Sequence, residues 1–245
     1  MLAEEDRLLS EIRSSSRGPL DPDAVQAVFR ELLSGCRALV QPLRVAFLGP
    51  LYSYSHLAAV RRFGHSVEFL PVATIATVFE EVQRKHATYG IVPLENSTDG
   101  RIADTLEMFT RVPLRICGQV DLEIHHALLA RCSRSEIHEI YSKPQAMSQC
   151  RNWLAKHVPA ARMIEVTSTT TAAQLAAEKP GAAAIASVEA GKYYGLDVLA
   201  EAIEDNPNNS TRFAVIGGEV PPRTGKDKTA LMFQVEHKPG ALADA

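Results

Sequence analysis

Residues 43–92 read LRVAFLGPLYSYSHLAAVRRFGHSVEFLPVATIATVFEEVQRKHATYGIV. Three short apolar runs, 43–48, 67–70 and 90–92, are separated by two segments, 55–63 and 75–85, whose apolar residues recur at helical spacing. This is strand, helix, strand, helix, strand, the pattern of a sheet covered by helices on both faces. The alternation continues down the chain. Further strands are predicted at 114–120, 127–130, 139–141, 163–166, 183–186, 198–200 and 213–216, with helices at 102–109, 144–156, 170–178 and 188–194. Several of these helices open on a Ser, Thr or Asp cap or on Pro. The expected fold class is α/β.

Residues 3–40 carry helical periodicity only. Leu8, Leu9 and Ile12 make a short stripe, Gly18-Pro19 interrupts it, and Asp21-Pro22 opens a second helix with Asp as cap. Val25, Val28, Phe29, Leu32 and Leu33 give that helix a broad apolar face, to be covered by the main sheet or by a second copy of the chain. Downstream, residues 218–227, GEVPPRTGKD, read as a linker. A strand is predicted at 228–236, and Lys238-Pro239-Gly240-Ala241 looks like a turn entering a helix, the opening of a further domain. The expected division is 1–41, 42–219 and 220–245.

With 245 residues, 46% of them apolar, the chain can bury a substantial core. Its 26 basic and 29 acidic residues are interspersed, so nucleic acid finds no basic surface to bind. The first residues, MLAEEDRLLSEIRSSS, lack the basic head and apolar core of a signal peptide, and no apolar run is long enough to span a membrane. A cytoplasmic protein without a membrane partner is expected. Cys36, Cys117, Cys132 and Cys150 form no C-x-x-C pair and have no His at zinc-finger spacing, so neither disulfide nor metal is expected.

Four polar clusters fall where predicted strands end and helices begin. In GPLYSYSH, 49–56, Ser53 and Ser55 stand at a helix N-terminus, where they either cap the helix or help its free N–H groups hold an anion. In VPLENSTDG, 92–100, Glu95 and Asn96 could orient a substrate and Ser97 and Thr98 bond an anion, or the side chains could satisfy their own turn. Ser142 precedes the helix opened by Pro144, on which Gln145 and Gln149 share a face. Ser168 and Thr169 belong to a hydroxyl-dense turn, TSTTT. In AIEDNPNNSTRFAVIGG, 202–218, Thr211 and Arg212 sit where a turn-rich segment meets an apolar strand. No cluster pairs a nucleophile with a base, and no cofactor fingerprint appears, so a small molecule of several negative charges is the expected ligand.

The motifs GPLYSYSHLAA, VPLENSTDGRI, YSKPQAMSQCRNWL, STTTAAQLAAEKPGAAAIAS and NPNNSTRFAVIGG, in this order, resemble prephenate dehydratase from about residue 43 to 218. The segment before them resembles the end of the helical chorismate mutase domain of bifunctional enzymes, and KTALMFQVEHKPGALADA resembles the start of an ACT regulatory domain. The resemblance implies a two-lobed fold like that of type II periplasmic binding proteins, with the site in the cleft between lobes and crossovers near 118–122 and 202–206. It implies the loss of carbon dioxide and the ring hydroxyl from prephenate to give phenylpyruvate, without cofactor, in phenylalanine biosynthesis. Thr211 matches the family's catalytic threonine, and Glu95, Asn96, Ser142 and Gln149 match positions tied to substrate binding and catalysis. Ser53, Ser55, Ser97, Ser168 and Thr169 match the hydroxyl turns. Phe213 completes the Thr-Arg-Phe motif, while Arg212 either meets a substrate carboxylate or holds the cleft through an acid such as Asp205. Tyr52 replaces the Gly usual in the first motif and adds a ring beside the cleft. Mutase activity and ACT-type phenylalanine binding are expected to be absent, and a homodimer is expected through the N-terminal helices. Arogenate dehydratase and a non-catalytic binding module are the alternatives.

Overall fold

A computed structural model describes residues 2–98, 100–220, 222–223, 225, 227–231, 240 and 243. Helices α1 (Leu2–Ser15) and α2 (Pro22–Val40) precede a first lobe of β1 (Arg44–Leu48), α3 (Tyr54–Phe63), β2 (Glu68–Val72), α4 (Ile75–Gln83), β3 (Tyr89–Asn96), β4 (Gly100–Arg101), α5 (Ala103–Arg111) and β5 (Arg115–Glu123). A second lobe follows, with β6 (Ala127–Ala130), β7 (Glu139–Ser142), α6 (Pro144–Gln149), α7 (Arg151–His157), β8 (Arg162–Glu165), α8 (Thr169–Glu178), β9 (Ala182–Ala186), α9 (Val188–Tyr194) and β10 (Asp197–Ala200). The chain then returns to the first lobe as β11 (Ser210–Gly217).

Each lobe is built on one sheet. The first has strand order β2-β1-β3-β11-β5, with β4 paired to β3, and the second has β10-β6-β9-β7-β8. In the first sheet β1 runs parallel to β2 and β3, whereas β11 is antiparallel to both of its neighbours. Helices cover both faces. Phe47, Phe63, Phe213 and Val215 fill the α3 side, and Phe79, Val92, Ala214 and Ile216 fill the side under α4 and α5. In the second lobe Leu129, Ala173 and Ala184 pack beneath α8 and α9, and Ile140, Leu154 and Ile185 beneath α6 and α7. The result is a two-lobed α/β fold with a helical N-terminal extension.

The boundaries depart from expectation where pairing outweighs local sequence. The predicted strand ends at Val92, yet β3 runs on through Pro93 to Asn96. The register against β11 shifts between the pairs Glu95–Arg212 and Pro93–Phe213, leaving Leu94 of β3 as the extra residue beside the proline. β11 begins three residues early because Ser210, Thr211 and Arg212 pair with Glu123, Leu122 and Asp121 of β5. The predicted helix 144–156 breaks at Cys150, and Asp205 caps the second piece by accepting from the amides of Asn152 (3.1 Å) and Trp153 (3.3 Å). The first crossover lies at 124–126, beyond β5, not at 118–122. Residues 228–231 form no strand, and the rest of that predicted strand lies outside the described residues.

The N-terminal hairpin docks on the first lobe through polar groups. Arg37 of α2 pairs with Glu5 of α1 at 2.7 Å and donates to the Phe63 carbonyl at 2.8 Å. Gly64, with φ of +75°, ends α3 against Ser34; a Cβ there would lie 2.6 Å from the Ser34 Cβ. The apolar face of α2 points elsewhere. Val28, Leu32 and Leu39 are 66%, 58% and 89% exposed.

Candidate active site

β11 carries Thr211 to the edge of the first lobe, directly opposite Asn96 of β3. Both side chains are buried. Asn96 closes a local turn in which its Oδ1 accepts from the Thr98 amide at 2.9 Å, and its Nδ2 donates to Thr211 Oγ1 at 2.8 Å and to Asn209 Oδ1 at 3.3 Å. Asn209 Nδ2 donates in turn to Oε1 of Gln149 at 3.1 Å, which brings in the end of α6 from the second lobe. The same oxygen lies 2.9 Å from His126 Nε2, and His126 Nδ1 lies 2.9 Å from the Tyr54 hydroxyl on α3. That hydroxyl is also 2.7 Å from the His125 carbonyl. A continuous polar chain therefore spans both lobes at the crossover segments.

Burial keeps most of this chain uncharged. It lowers the pKa of His126, against a hydrogen bond with Gln149, and raises that of Tyr54 well above the ordinary tyrosine value. A charged pair adjoins it. The Glu204 carboxylate, 2.7 Å from His125 Nδ1, raises the pKa of that histidine by its hydrogen bond. Burial pushes the Glu204 carboxyl up, but bonds from His125 and from the His126 amide outweigh it and hold the carboxyl below its ordinary value. Among the described residues no cluster of three His, Cys, Asp or Glu side chains could hold a metal ion.

The expected site residues divide into groups. Thr211, Asn96 and Gln149 are brought together, as above. Glu95 and Arg212 form an ion pair at 3.1 Å; as direct neighbours of Asn96 and Thr211 along their strands, they lie on the other side of the sheet. Arg212 also lies 3.6 Å from Asp121, so its acids are Glu95 and Asp121 and not Asp205. Phe213 is a core residue beside Phe47, not a cleft residue. Ser142 is fully buried inside the second lobe and donates to the Ile185 carbonyl at 2.7 Å. Ser97 ties two loops, accepting from the Ser210 amide at 2.9 Å. Ser53 caps α3 and Ser168 caps α8, each accepting an amide of its own first turn. Ser55 is buried in the first turn of α3, and Thr169 is half-buried in that of α8.

Sequence reading missed Tyr54, His126 and Asn209. The paired histidines at 125–126 and the run NPNN at 206–209 were the available signals, and both fall where the chain changes lobe. Tyr52 adopts φ of +64° and stacks on Tyr193 of the second lobe with ring centroids 4.2 Å apart, so its ring bridges the lobes.

Residues 45–220 match the family described as prephenate dehydratase. A bifunctional chorismate mutase/prephenate dehydratase of Stutzerimonas stutzeri is 45% identical over 96% of this chain, and one of Neisseria gonorrhoeae is 40% identical over 98%. The chain spans 65% of the length of the first of these relatives and 67% of the second. Among solved structures, the prephenate dehydratase of Arthrobacter aurescens in complex with L-Phe shares 31% identity and superposes with a TM-score of 0.72, over 82% of this chain and 70% of that one. GqqA, described as a novel type of quorum quenching acylase, superposes at 0.65 with 25% identity, over 82% of this chain and 74% of that one. The buried Thr211–Asn96 pair at the edge of the first sheet is thus accompanied by a family match over most of the chain, and the chain belongs to the prephenate dehydratase family.

Proposed function

We propose that this chain catalyses the decarboxylative dehydration of prephenate to phenylpyruvate, a carbon–oxygen lyase reaction that needs no cofactor. The observation that carries the reading is the Asn96–Thr211 hydrogen bond, 2.8 Å long and buried where the lobes meet. Thr211 Oγ1 accepts from Asn96 and keeps its own proton to donate. As the ring carboxylate leaves as carbon dioxide, its bonding electrons move into the ring, the bond to the ring hydroxyl breaks, and the ring becomes aromatic. The departing oxygen carries the negative charge, and Thr211 meets it with a hydrogen bond while solvent completes its conversion to water. A threonine hydroxyl is a weak acid, so the Asn96 N–H matters by stabilising charge that builds on Oγ1. The first turns of α3 and α8, with Ser55 and Thr169, suit the two substrate carboxylates. Glu95 and Arg212 brace the rim.

The test is turnover of prephenate by the purified protein at neutral pH, with arogenate run in parallel to settle which ring substrate is preferred. Thr211→Ala should lose on the order of 10²- to 10³-fold in kcat. A folded wild-type protein that forms no phenylpyruvate above the spontaneous rate would sink the reading and favour a binding module. The free thiols of Cys36, Cys117, Cys132 and Cys150 support a cytoplasmic setting.

A homodimer through α2 is the second element of this proposal, motivated by the exposure of Val28, Leu32 and Leu39. Leu32→Glu should halve the mass seen by light scattering at micromolar concentration. A wild-type monomer would rule the dimer out.

A further inference from the structure

A cavity of about 420 Å³ lies between the N-terminal hairpin and the first lobe, lined by neither Asn96 nor Thr211. Its walls bring three guanidiniums together, Arg30 of α2 with Arg61 and Arg62 of α3, against two carboxylates, Asp6 of α1 and Asp121 of β5. Those charges do not cancel. Arg62, whose side chain is only 9% exposed, pairs with Asp6 at 2.9 Å, and Asp121 is already shared with Arg212 at 3.6 Å. Among the described residues Arg61 has neither an ion pair nor a hydrogen bond, and the Arg30 guanidinium has one hydrogen bond, to Gln26 Oε1 at 3.4 Å. Gln26 is itself anchored, donating to the Leu9 carbonyl at 3.2 Å.

Burial, followed by the charges of Arg62 and Arg61, lowers the Arg30 pKa below the ordinary arginine value, and Glu31 and Asp6 offset them only in part. Arginine stays protonated regardless, so three cations are held side by side short of counter-charge. A dianion supplies it. Converging guanidiniums offer paired N–H donors in the planar geometry that phosphate and carboxylate groups accept. β5 ends its sheet, so residues 118–121 add backbone amides that no further strand occupies.

We propose that this cavity is a binding site for a small metabolite with a dianionic head, a phosphate ester or a dicarboxylate, gripped by Arg30, Arg61 and Arg62. Bound there, the ligand ties α2 to α3 and clamps the hairpin onto the first lobe, whether or not prephenate is the substrate. The α2 surface is free for it. At about 100° per residue, Arg30 lies about 160° around the helix from Val28, so the cavity is clear of the apolar face assigned above to the dimer.

Inorganic phosphate and succinate serve as probes, each titrated into the purified protein against chloride at equal ionic strength and followed by calorimetry and thermal unfolding. One or both should bind and raise the unfolding midpoint where chloride does not, and the tighter of the two identifies the head group. Arg61→Gln, which breaks no hydrogen bond or ion pair of the fold, should weaken binding at least about tenfold, as should Arg30→Gln. Asp6→Asn should tighten it about fivefold by releasing Arg62. Arginines that served only to dock the hairpin would gain nothing from the loss of that carboxylate. Neither probe acting beyond chloride, binding undiminished in the two arginine variants, or no tightening in Asp6→Asn would each overturn the proposal.

Discussion

His56 should make this fold sensitive to acid. Its ring is wedged among Phe47, Tyr52 and Phe69 at centroid distances of 5.1, 5.3 and 4.7 Å, and its Nδ1 accepts from the Tyr52 amide at 3.0 Å. A proton arriving at Nδ1 would face that N–H and destroy the bond. Burial lowers the folded-state pKa from 6.5 to about 4, with a smaller contribution from His65. Because the folded value lies below the unfolded one, the unfolded chain binds more protons as the pH falls below 6.5. The stability contributed by neutral His56 is therefore complete above that value and drains away toward pH 4. At 1.36 kcal/mol per pKa unit the shift corresponds to about 3 kcal/mol, or about 2 kcal/mol once solvent screening at the ring edge is allowed for. Urea unfolding near pH 7 and again near pH 4 measures the loss. The difference between wild type and His56→Phe isolates this residue from the carboxylates, which titrate in both proteins. His56→Phe should keep about 2 kcal/mol more of its own neutral-pH stability. Equal losses in the two proteins would refute the reasoning.

Two further outcomes are expected. Ser142→Ala removes a buried donor from the Ile185 carbonyl and should cost about 1–3 kcal/mol in chemical unfolding, while KM for prephenate stays unchanged because the hydroxyl faces the lobe interior. Tyr52→Gly relieves a left-handed tyrosine, worth about 1–2 kcal/mol, but gives up the stack on Tyr193, worth about 0.5–1.5 kcal/mol; the melting temperature should move by only a few degrees, while limited proteolysis at 124–126 and 203–209 becomes faster.

Much of the fold was legible because apolar runs of strand length alternate with helical periodicity, as in the run Val45-Ala46-Phe47 followed by the helix that ends at Phe63. The site was legible only in part. Thr211, Asn96 and Gln149 are marked by motif, but motif membership does not say which way a side chain points. In Thr-Arg-Phe the strand sends Thr211 to the junction, Arg212 to an ion pair with Glu95, and Phe213 into the core. Ser142 looked like a ligand hydroxyl because it precedes a helix, yet the sheet closes over it. Tyr54 and His126 are 72 residues apart and meet only through lobe packing, which no local pattern reports. The polar docking face of α2 was hidden for a similar reason, since Glu31, Ser34 and Arg37 read as solvent-facing until α3 is laid against them.

The position of β11 has a consequence for how the chain is made. This strand leaves synthesis last among the described strands, yet it lies inside the first sheet, between β3 and β5. Until residues 210–217 emerge, β3 and β5 have no strand between them, each showing an unpaired edge beside a half-built core. The first lobe must wait for all of the second to be translated, so the two cannot mature strictly in order of synthesis. Closing that gap pairs segments more than eighty residues apart, which slows folding and lengthens the time a nascent chain needs shielding from its neighbours. The strand that ends this exposure is also the one that delivers Thr211, so no partly folded chain brings the hydroxyl proposed to meet the leaving oxygen beside Asn96.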